Sequence, residues 1–310
     1  MICTTIIPTV NRHTLALAVN SAVEQDLSPE EHEILIFNNS GKPLPEESWL
    51  SAPHIKIVNS YSNVIDATNR GLFMASGKYI KILHDDDYML PGALKALTAI
   101  AEKTGCYWVY GAYHRIDNNG DFISTDRPVE KGNLLPLMVA GEGFHLAPSL
   151  LNRQAFLEIG GLDLDIIRYD QDMNIAFALK SDFAYTDEVV ACVRIGRQGS
   201  TVDWSKITAD SRKIREKWLN NDKLMPRIRE GLKGNVFLRG RVGRNYLFSA
   251  ALNLKGGRIS TAVKRLIHLT WLTGLYIFHP AFWKGMTYRN YWHAVEKKKE
   301  EEHYATHLTA

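Results

Sequence analysis

Short apolar runs alternate with helical patterns through the first hundred residues of the chain. The apolar, strand-like runs occur at 3–7, 33–37, 54–58, 79–83 and 107–110. Apolar residues at helical spacing predict helices over 13–24, 63–75 and 91–102. This alternation is typical of an α/β fold, in which a mostly parallel sheet is covered by helices.

The pattern changes after residue 112. The turn signal at Asn118–Gly120 lies between two short runs that could pair as a hairpin. Further strands are predicted at 147–151 and 189–195, with helices at 153–159 and 171–179. We expect these residues to build a second substrate site beside the parallel sheet.

The last third of the chain is predicted to be helical. Two helices, 236–255 and 258–273, are joined at Gly256 and Gly257. Residues 1–203 contain 16 basic and 26 acidic residues, whereas residues 204–310 contain 21 basic and 8 acidic residues. This charge asymmetry predicts two regions, 1–203 and 204–310, with different partners.

The composition excludes several classes of protein. The chain has 310 residues, of which 45% are hydrophobic and 23% charged, so disorder, collagen-like repetition and a coiled coil are poor interpretations. No window has the roughly 18 apolar residues that a membrane span needs, and the first residues lack an export signal. Three widely spaced cysteines suit the reducing cytosol. We therefore expect a cytoplasmic protein without disulfides.

Three consecutive carboxylates form the most informative motif. They lie in the sequence ILHDDDYMLP (82–91), between a predicted strand and a proline that begins a helix. Carboxylates at the carboxyl end of a strand face the ligand crevice of an open α/β sheet. Because adjacent carboxylates repel one another, a bound divalent cation is the usual compensation. The alternative is a helix cap with solvated acids.

Several motifs follow the order and spacing of a known enzyme family. The matching positions are Ile6–Thr9, Asn11, Arg12, Glu33–Ser40, Asn69, Gly71, Ala75, Gly77, Tyr79, Ile80, Gly160–Asp163, Asp170, Asp172 and Arg194. With these positions the chain resembles a family 2 glycosyltransferase of the GT-A fold over residues 1–203. The resemblance implies a Rossmann-like sheet in which residues 1–112 bind a nucleotide sugar and residues 113–203 bind the acceptor.

The resemblance also implies a set of nucleotide-sugar contacts. They are Pro8, Thr9, Asn11, Arg12, Asn39, Asn69, Asp85, Asp86, Arg194 and Arg197. The family usually has a carboxylate near Asn39 that accepts from a uracil-type N–H group, and an amide oxygen can accept the same hydrogen bond. Arg12 either contacts phosphate or lies at the surface. Arg197 belongs to a glycine-containing loop that could close over the diphosphate.

The acidic motif departs from the family pattern, because His84 replaces its first aspartate. The resemblance implies Asp86 and Asp87 as ligands of Mg²⁺ or Mn²⁺, with Asp86 first. Asp85 would then contact ribose hydroxyls or an outer-shell water, and Asp87 could instead cap the following helix. Gly196 replaces a histidine that completes the metal site in many relatives.

Asp170 matches the general base of the family, and Asp172 is the second candidate. The alternatives are a helix cap for Asp170 and a solvated helix residue for Asp172. The implied reaction is inverting transfer of a sugar, most simply from a UDP-sugar, to a hydroxyl group of a glycan or lipid-linked acceptor.

Two other functions remain open at this stage. One is a sugar nucleotidyltransferase, and the other is a catalytically silent subunit that binds a nucleotide sugar. No nucleic-acid partner is expected.

The basic region 204–310 predicts a peripheral contact with the anionic inner face of the cytoplasmic membrane. Its motivation is the excess of basic residues combined with aromatic and apolar residues at 271–283. Packing on the catalytic region or a homo-oligomer contact is the alternative.

Overall fold

The computed structural model describes residues 1–128, 130–195 and 204–288. The chain forms two compact units. The first comprises Met1–Leu134 and Phe144–Ile214, and the second comprises Leu135–Gly143 together with the chain from Arg215 onward. The boundary predicted after residue 203 adjoins residues outside the described part, and it stays a prediction.

The described residues of the first unit form a nine-stranded sheet. Its strands, in chain order, are β1 (Cys3–Thr9), β2 (His32–Asn38), β3 (Ile55–Asn59), β4 (Tyr79–Ile82), β5 (Tyr88–Met89), β6 (Trp108–Ile116), β7 (Phe122–Asp126), β8 (Ser149–Asn152) and β9 (Phe183–Arg194). They lie side by side in the order β3-β2-β1-β4-β8-β6-β9-β5, and β7 also pairs with β6.

The first four strands of this order are parallel. Ile6 of β1 pairs with Leu35 of β2 on one side and with Ile82 of β4 on the other, and β2 pairs with β3 in the same direction. Every residue of β1 and β2 is buried, as expected for parallel strands with both faces covered. The segments that follow β1, β2 and β4 therefore leave the sheet at one edge.

Helices cover the sheet with apolar faces at helical spacing. They are α1 (Leu15–Val23), α2 (Val64–Met74), α3 (Ala93–Thr104), α5 (Arg153–Glu158) and α6 (Tyr169–Lys180). Asn63 caps α2, because its side-chain oxygen accepts from the main-chain N–H groups of Ile65 (3.0 Å) and Asp66 (2.9 Å). The three helices predicted before residue 105 are confirmed to within a few residues.

The later strands pair in both directions. β8 is antiparallel to β4 and β6, whereas β6 and β9 are parallel. The α/β fold with a helical C-terminal region is thus confirmed, with its parallel pairing concentrated in β1–β4. The predicted hairpin is also confirmed, since β6 and β7 are antiparallel and the carboxylate of Asp117 accepts from Asn119 N (2.8 Å) and Asp121 N (2.9 Å) in the turn.

Strand β9 begins at Phe183, six residues before its predicted start at Val189. The polar residues Thr186–Glu188 interrupt the apolar pattern and hide the strand from sequence analysis. Pairing of Phe183 with Trp108 on β6 extends the strand nonetheless. Neighbouring strands thus override the local preference of these polar residues.

The second unit is helical. It contains α4 (Leu135–Val139), α8 (Leu224–Leu232), α9 (Val236–Lys255), α10 (Ile259–Thr273), a 3₁₀ turn (Gly274–Phe278) and α11 (Pro280–Thr287), while α7 (Trp204–Leu219) crosses the boundary between the units. The helices predicted at 236–255 and 258–273 are confirmed as α9 and α10. No helix among the described residues is both long enough and apolar enough to cross a bilayer.

Glycines allow α9 and α11 to approach closely. A Cβ atom at Gly240 would lie 2.1 Å from the carbonyl oxygen of Phe282, and one at Gly285 would lie 2.0 Å from that of Phe237. Any side chain at either position would force the helices apart. The two glycines therefore set the spacing of this helix pair.

Some of the basic side chains of the second unit are buried. Arg241 and Glu142 form a buried ion pair with an Nη2–Oε1 distance of 2.5 Å. Buried Arg265 donates to the carbonyl oxygen of Leu219 (2.6 Å) and to Ser249 Oγ (3.1 Å). These guanidinium groups hold helices together and are not available to an external partner.

Buried His32 makes the first unit sensitive to acid. Only 2% of His32 is exposed, its Nε2 atom lies 2.8 Å from Thr5 Oγ1, and burial lowers its pKa to about 4. As the pH falls, the imidazole of His32 takes up a proton near pH 6.5 in the unfolded chain but only near pH 4 in the folded chain. The free energy of unfolding that this difference in pKa contributes is therefore present above pH 6.5 and is lost as the pH falls toward 4.

We expect His32→Gln to reduce this loss of unfolding free energy between pH 7 and pH 4 by about 3 kcal/mol. Urea unfolding across this pH range measures the effect. His13→Gln, which changes an exposed histidine in the same unit, serves as the control. Parallel pH profiles for the wild-type protein and His32→Gln would contradict the assignment.

Candidate active site

The acidic segment His84–Asp87 follows β4, at the edge of the sheet where β1 and β2 also end. Asp85 and Asp87 are only 2% and 6% exposed, whereas Asp86 is half-buried. Buried carboxylates need partners within the protein. Of the three, Asp86 is therefore the most accessible to a ligand from solvent.

Asp85 fixes the loop that follows β1. Its carboxylate accepts from Thr9 Oγ1 (2.6 Å) and Val10 N (3.2 Å) and forms an ion pair with Arg12. The Thr14 hydroxyl donates to the main-chain carbonyl of Asp85 (2.6 Å). Both carboxylate oxygens thus have donors within the protein, and the expected ribose contact of Asp85 stays a prediction.

Asp87 and Arg194 join the acidic segment to the end of β9. Asp87 Oδ1 accepts from the main-chain N–H of Arg194 (2.9 Å). The Arg194 guanidinium donates to the carbonyl oxygens of Asp86 (3.2 Å) and Asp117 (2.6 Å). Burial raises the pKa of Asp87 to about 6, and the hydrogen bond from the main-chain N–H of Arg194 partly opposes this shift.

The alternative role of Asp87 as a helix cap is wrong. Helix α3 begins at Ala93, and its N-cap residue is Gly92. Gly92 has a φ of 76°, a left-handed conformation that glycine adopts readily. Asp87 therefore belongs to the acidic segment and has no role in capping α3.

Three side chains of the acidic segment can share a cation. His84, Asp86 and Asp87 each offer one ligand atom, and these atoms lie within 4.8 Å of one another. Carboxylate oxygens suit Mg²⁺ and Mn²⁺, and an imidazole nitrogen can add a further ligand. Arg12 Nη1 lies 3.5 Å from Asp86 Oδ2 and offsets part of the same negative charge. The residues present fit a divalent cation.

Helix α6 begins beside this cluster. The hydroxyl of Tyr169 lies 3.1 Å from His84 Nε2, at hydrogen-bond distance. The Asp210 carboxylate accepts from the main-chain N–H groups of Ile167 (2.5 Å) and Arg168 (3.0 Å) and fixes the start of the helix. Tyr169 therefore connects the first turn of α6 to the acidic segment.

The two candidate bases differ in accessibility. Asp170 is exposed, whereas only 6% of Asp172 is exposed. The N-cap position of α6 is Arg168, so Asp170 lies within the first turn and is not the cap. Its Oδ1 atom accepts from Gln171 N (2.8 Å). Asp170 is the carboxylate that an acceptor can reach from solvent.

The ends of β1 and β2 form the predicted base-binding region. Pro8 pairs with Phe37 in the sheet, and Asn39 N donates to Thr9 O (2.8 Å). Asn11 has a φ of 64° and donates through Nδ2 to Pro43 O (3.3 Å). The Oδ1 atom of Asn39 is buried, and no donor in the described part of the chain reaches it. Asn39 thus offers an unused acceptor at this edge.

A family model described as glycosyl transferase family 2 matches residues 4–158, which is half of the chain. The chain belongs to glycosyl transferase family 2. No curated protein matches it. The matched region contains the predicted base-binding region and the acidic segment, while Asp170 and Arg194 lie beyond it.

The family 2 chain is also similar in fold to solved structures of TarS from S. aureus. Residues 1–349 of TarS in complex with UDP give a TM-score of 0.59 at 13% identity, over 88% of this chain and 92% of that chain. The complex with UDP-GlcNAc gives a TM-score of 0.60 at 14% identity, with the same coverage. At these identities the likeness concerns the fold alone.

Six of the thirteen predicted site residues of this glycosyltransferase lie together. Contacts described above connect Thr9, Arg12, Asp85, Asp86, Asp87 and Arg194. Asn69 has a different set of contacts, since its amide donates to Leu162 O (2.9 Å) and accepts from Leu162 N (2.7 Å). It holds the loop before α6, and its predicted nucleotide contact stays a prediction. Arg197 lies outside the described residues.

Sequence analysis of the family 2 chain missed three side chains at the site. It treated His84 as a lost carboxylate and gave no role to Tyr169. It also overlooked Lys81, which is fully buried and donates to Ala147 O and Ser149 O (3.1 Å). Burial lowers the pKa of Lys81 to about 7. A lysine inside the otherwise apolar strand YIKI was the available signal.

Proposed function

We propose that the protein transfers a sugar from a UDP-sugar to a hydroxyl group of a glycan or lipid-linked acceptor, with inversion at the anomeric carbon. The observation that carries the proposal is the hydrogen bond between Tyr169 and His84. It joins the acidic segment, which suits a nucleotide diphosphate and its cation, to the turn that carries the accessible carboxylate Asp170. Membership of family 2 supplies the reaction class.

The choice of UDP rests on the edge formed by β1 and β2. Uracil presents an N–H donor, and the buried Oδ1 atom of Asn39 is an acceptor without a partner in the described residues. A buried acceptor costs free energy until it is bonded. The TarS complexes with UDP and UDP-GlcNAc agree with this choice, since those proteins share the fold.

Asp170 acts as the general base. Its carboxylate takes the proton of the acceptor hydroxyl as that oxygen attacks the anomeric carbon of the sugar. The bond from this carbon to the diphosphate breaks at the same time, and the electron pair leaves with the nucleoside diphosphate. Attack opposite the leaving group in a single displacement inverts the anomeric centre.

A cation held by the acidic segment, together with two neighbouring arginines, would offset the negative charge of the leaving diphosphate. His84, Asp86 and Asp87 would hold a Mg²⁺ or Mn²⁺ ion, which supplies positive charge to the diphosphate oxygens when bound. Arg12 and Arg194 place guanidinium groups against Asp86 from two elements. Fixed charges of this kind stabilise charge that develops in the transition state.

We expect the full-length protein to release UDP from a UDP-sugar in the presence of Mn²⁺ and an acceptor, and the product to carry the inverted anomeric configuration by NMR. GDP- and CDP-sugars should react more slowly. Pyrophosphate release from a nucleoside triphosphate and a sugar 1-phosphate would overturn the proposal in favour of a nucleotidyltransferase. Retention of configuration would overturn the single displacement, and nucleotide-sugar binding without any turnover would favour a silent subunit.

Variants of Asn39 test whether this residue binds the uracil base of the UDP-sugar. Asn39→Ala removes the orphaned acceptor, so we expect UDP affinity to fall by about tenfold, with no loss of stability in the absence of nucleotide. Asn39→Asp keeps an acceptor and should keep UDP binding. Thermal shift with UDP measures both, because binding to the native state raises the melting temperature. Unchanged UDP binding by Asn39→Ala would remove the base assignment.

A further inference from the structure

The second unit has an apolar face that no described residue covers. Exposed apolar side chains recur along α10 at positions 259, 263, 266, 267 and 271, a spacing that puts them on one side of a helix. The opposite side of α10 is buried, with Ala262, Arg265 and Leu272. One side of α10 packs within the unit, and the other side faces solvent.

Further exposed apolar side chains follow in the 3₁₀ turn and in α11. Leu275 and Phe278 are each 84% exposed, and Trp283 on α11 is half-exposed. Together with the outer side of α10, these residues form what we call the outer apolar face (Ile259, Val263, Leu266, Ile267, Trp271, Leu275, Phe278 and Trp283). Large exposed apolar patches mark contacts with proteins or membranes.

The charge around the outer apolar face is almost entirely positive. Residues 222–288 contain twelve Lys and Arg residues, of which Arg241 and Arg265 are internal, and two acidic residues, Asp222 and Glu230. Within residues 259–288 there is no carboxylate at all. This balance disfavours a second copy of the chain as the occupant, because a symmetric contact would bring like charges together. It favours an anionic surface.

Two arginines stack on one aromatic ring at the edge of this face. The Cζ atom of Arg229 lies 4.2 Å from the ring centroid of Trp271, and that of Arg239 lies 5.0 Å from it. Arg239 also lies over the ring of Tyr276, at 4.4 Å. Cation–π contacts hold both guanidinium groups in place without neutralising their charge.

Neither guanidinium has an acidic partner in the described part of the chain. Only 8% of Arg239 is exposed, yet its buried Nε atom has no acceptor among the described residues. Buried cations are normally paired, so an anion bound near Arg239 would stabilise its guanidinium. Arg229 is exposed on α8 and stacks on the same Trp271 ring. An anion with several oxygens, such as a phosphate group, matches the planar set of donors that a guanidinium offers.

We propose that this face docks on an anionic lipid bilayer, with the outer apolar face in the interfacial layer and Arg229 and Arg239 bound to lipid phosphate groups. Tryptophan and tyrosine beside the two arginines suit the interfacial layer, where aromatic rings meet polar head groups. The docking involves the second unit alone and does not depend on the proposed sugar transfer.

Vesicle sedimentation with the full-length protein, without nucleotide, tests the docking. We expect binding to vesicles of phosphatidylcholine and phosphatidylglycerol, and at least tenfold weaker binding to phosphatidylcholine alone. Raising the salt from about 0.05 M to about 0.5 M should weaken the binding further, because screening shortens the reach of surface charge. No binding to anionic vesicles at low salt, or equal binding to both kinds, would overturn the proposal.

The double variant Leu275→Ser/Phe278→Ser changes the two most exposed apolar residues of the face. We expect at least tenfold weaker vesicle binding with an unchanged melting temperature. Phe122→Ser/Ile123→Ser, which changes two exposed apolar residues on β7 of the first unit, is the matched control and should bind normally. Equal binding by the two double variants would overturn the role of the face.

Arg229→Gln tests the phosphate contact with little risk to folding, because Arg229 is exposed. We expect about fivefold weaker binding to anionic vesicles and no change on neutral ones. Lys255→Gln, on an exposed lysine of the same unit, should have a smaller effect. Arg239→Gln should lose at least as much affinity as Arg229→Gln, and wild-type binding by both arginine variants would overturn the phosphate site.

Two further results would show that something other than a lipid bilayer binds the outer apolar face or the two arginines, and either would overturn the lipid assignment. The first is concentration-dependent self-association that Leu275→Ser/Phe278→Ser abolishes, measured by analytical ultracentrifugation in the absence of vesicles. The second is tight binding of soluble polyphosphate without any binding to anionic vesicles.

Discussion

Asp170→Asn is expected to lower the rate of sugar transfer by about 10²- to 10⁴-fold, the usual contribution of a general base. The substitution keeps the size of the side chain and its acceptor oxygen toward Gln171, and it removes the group that takes the proton. Binding of the UDP-sugar should be unchanged, because the donor contacts lie on the acidic segment and the edge of β1 and β2. Single-turnover rates and thermal shift with UDP separate the two effects.

Two variants make this test specific. Asp172→Asn should cost less activity, because Asp172 is buried and an acceptor reaches Asp170 more easily. Asp165→Asn, on an exposed carboxylate shortly before α6, should keep full activity. Near-normal transfer by Asp170→Asn together with a large loss in Asp172→Asn would move the base to Asp172. Near-normal transfer by both would show that neither carboxylate is the base.

The position of the site could be predicted because it follows from chain topology. Apolar runs at the positions of β1, β2 and β4 are typical of buried parallel strands, and parallel strands end at a common edge. The residues that follow these strands, Thr9, Asn39 and Asp85, therefore had to lie near one another. The structure bears this out through the contacts of Thr9 with Asp85 and with Asn39.

The sequence does not show which of the three adjacent carboxylates is buried and which is accessible to a ligand. Asp85, Asp86 and Asp87 are adjacent and chemically identical, and only burial distinguishes them. Asp85 and Asp87 accept main-chain hydrogen bonds from Val10 and Arg194, respectively. Such partners depend on segments 75 and 107 residues away in the chain, which no local pattern reports.

Long-range contacts also explain the residues that sequence analysis missed. His84 faces Tyr169 across 85 positions of the chain, and a histidine in an acidic motif signals nothing about such a partner. Asn69 matched a family position, but its amide is engaged by Leu162, 93 residues away. Residue identity thus indicated the region, while the pairing of strands and helices decided which atoms remain free for a ligand.

Asp86→Ala is expected to lower sugar transfer by at least about 10²-fold and to abolish the effect of Mn²⁺ on UDP binding. Removing one group that stabilises charge in a transition state typically costs this much. Asp86 is the most accessible carboxylate of the segment, and its ligand atom lies in the cluster with His84 and Asp87. Thermal shift with UDP, with and without Mn²⁺, measures the binding effect, and UDP release measures transfer.

A comparison with two other aspartates separates the cation site from folding. Asp26→Ala, on an exposed carboxylate of the first unit, should change neither stability nor transfer. Asp85→Ala removes the partner of Arg12 and Thr9, so it should lower the melting temperature, because donors that a buried carboxylate satisfied lose their acceptor. Asp86→Ala should keep the wild-type melting temperature, because Asp86 is half-exposed and its ion-pair partner Arg12 keeps its contact with Asp85. Mn²⁺-dependent UDP binding of wild-type strength in Asp86→Ala would place the cation elsewhere, and a fall in stability equal to that of Asp85→Ala would make Asp86 a structural residue.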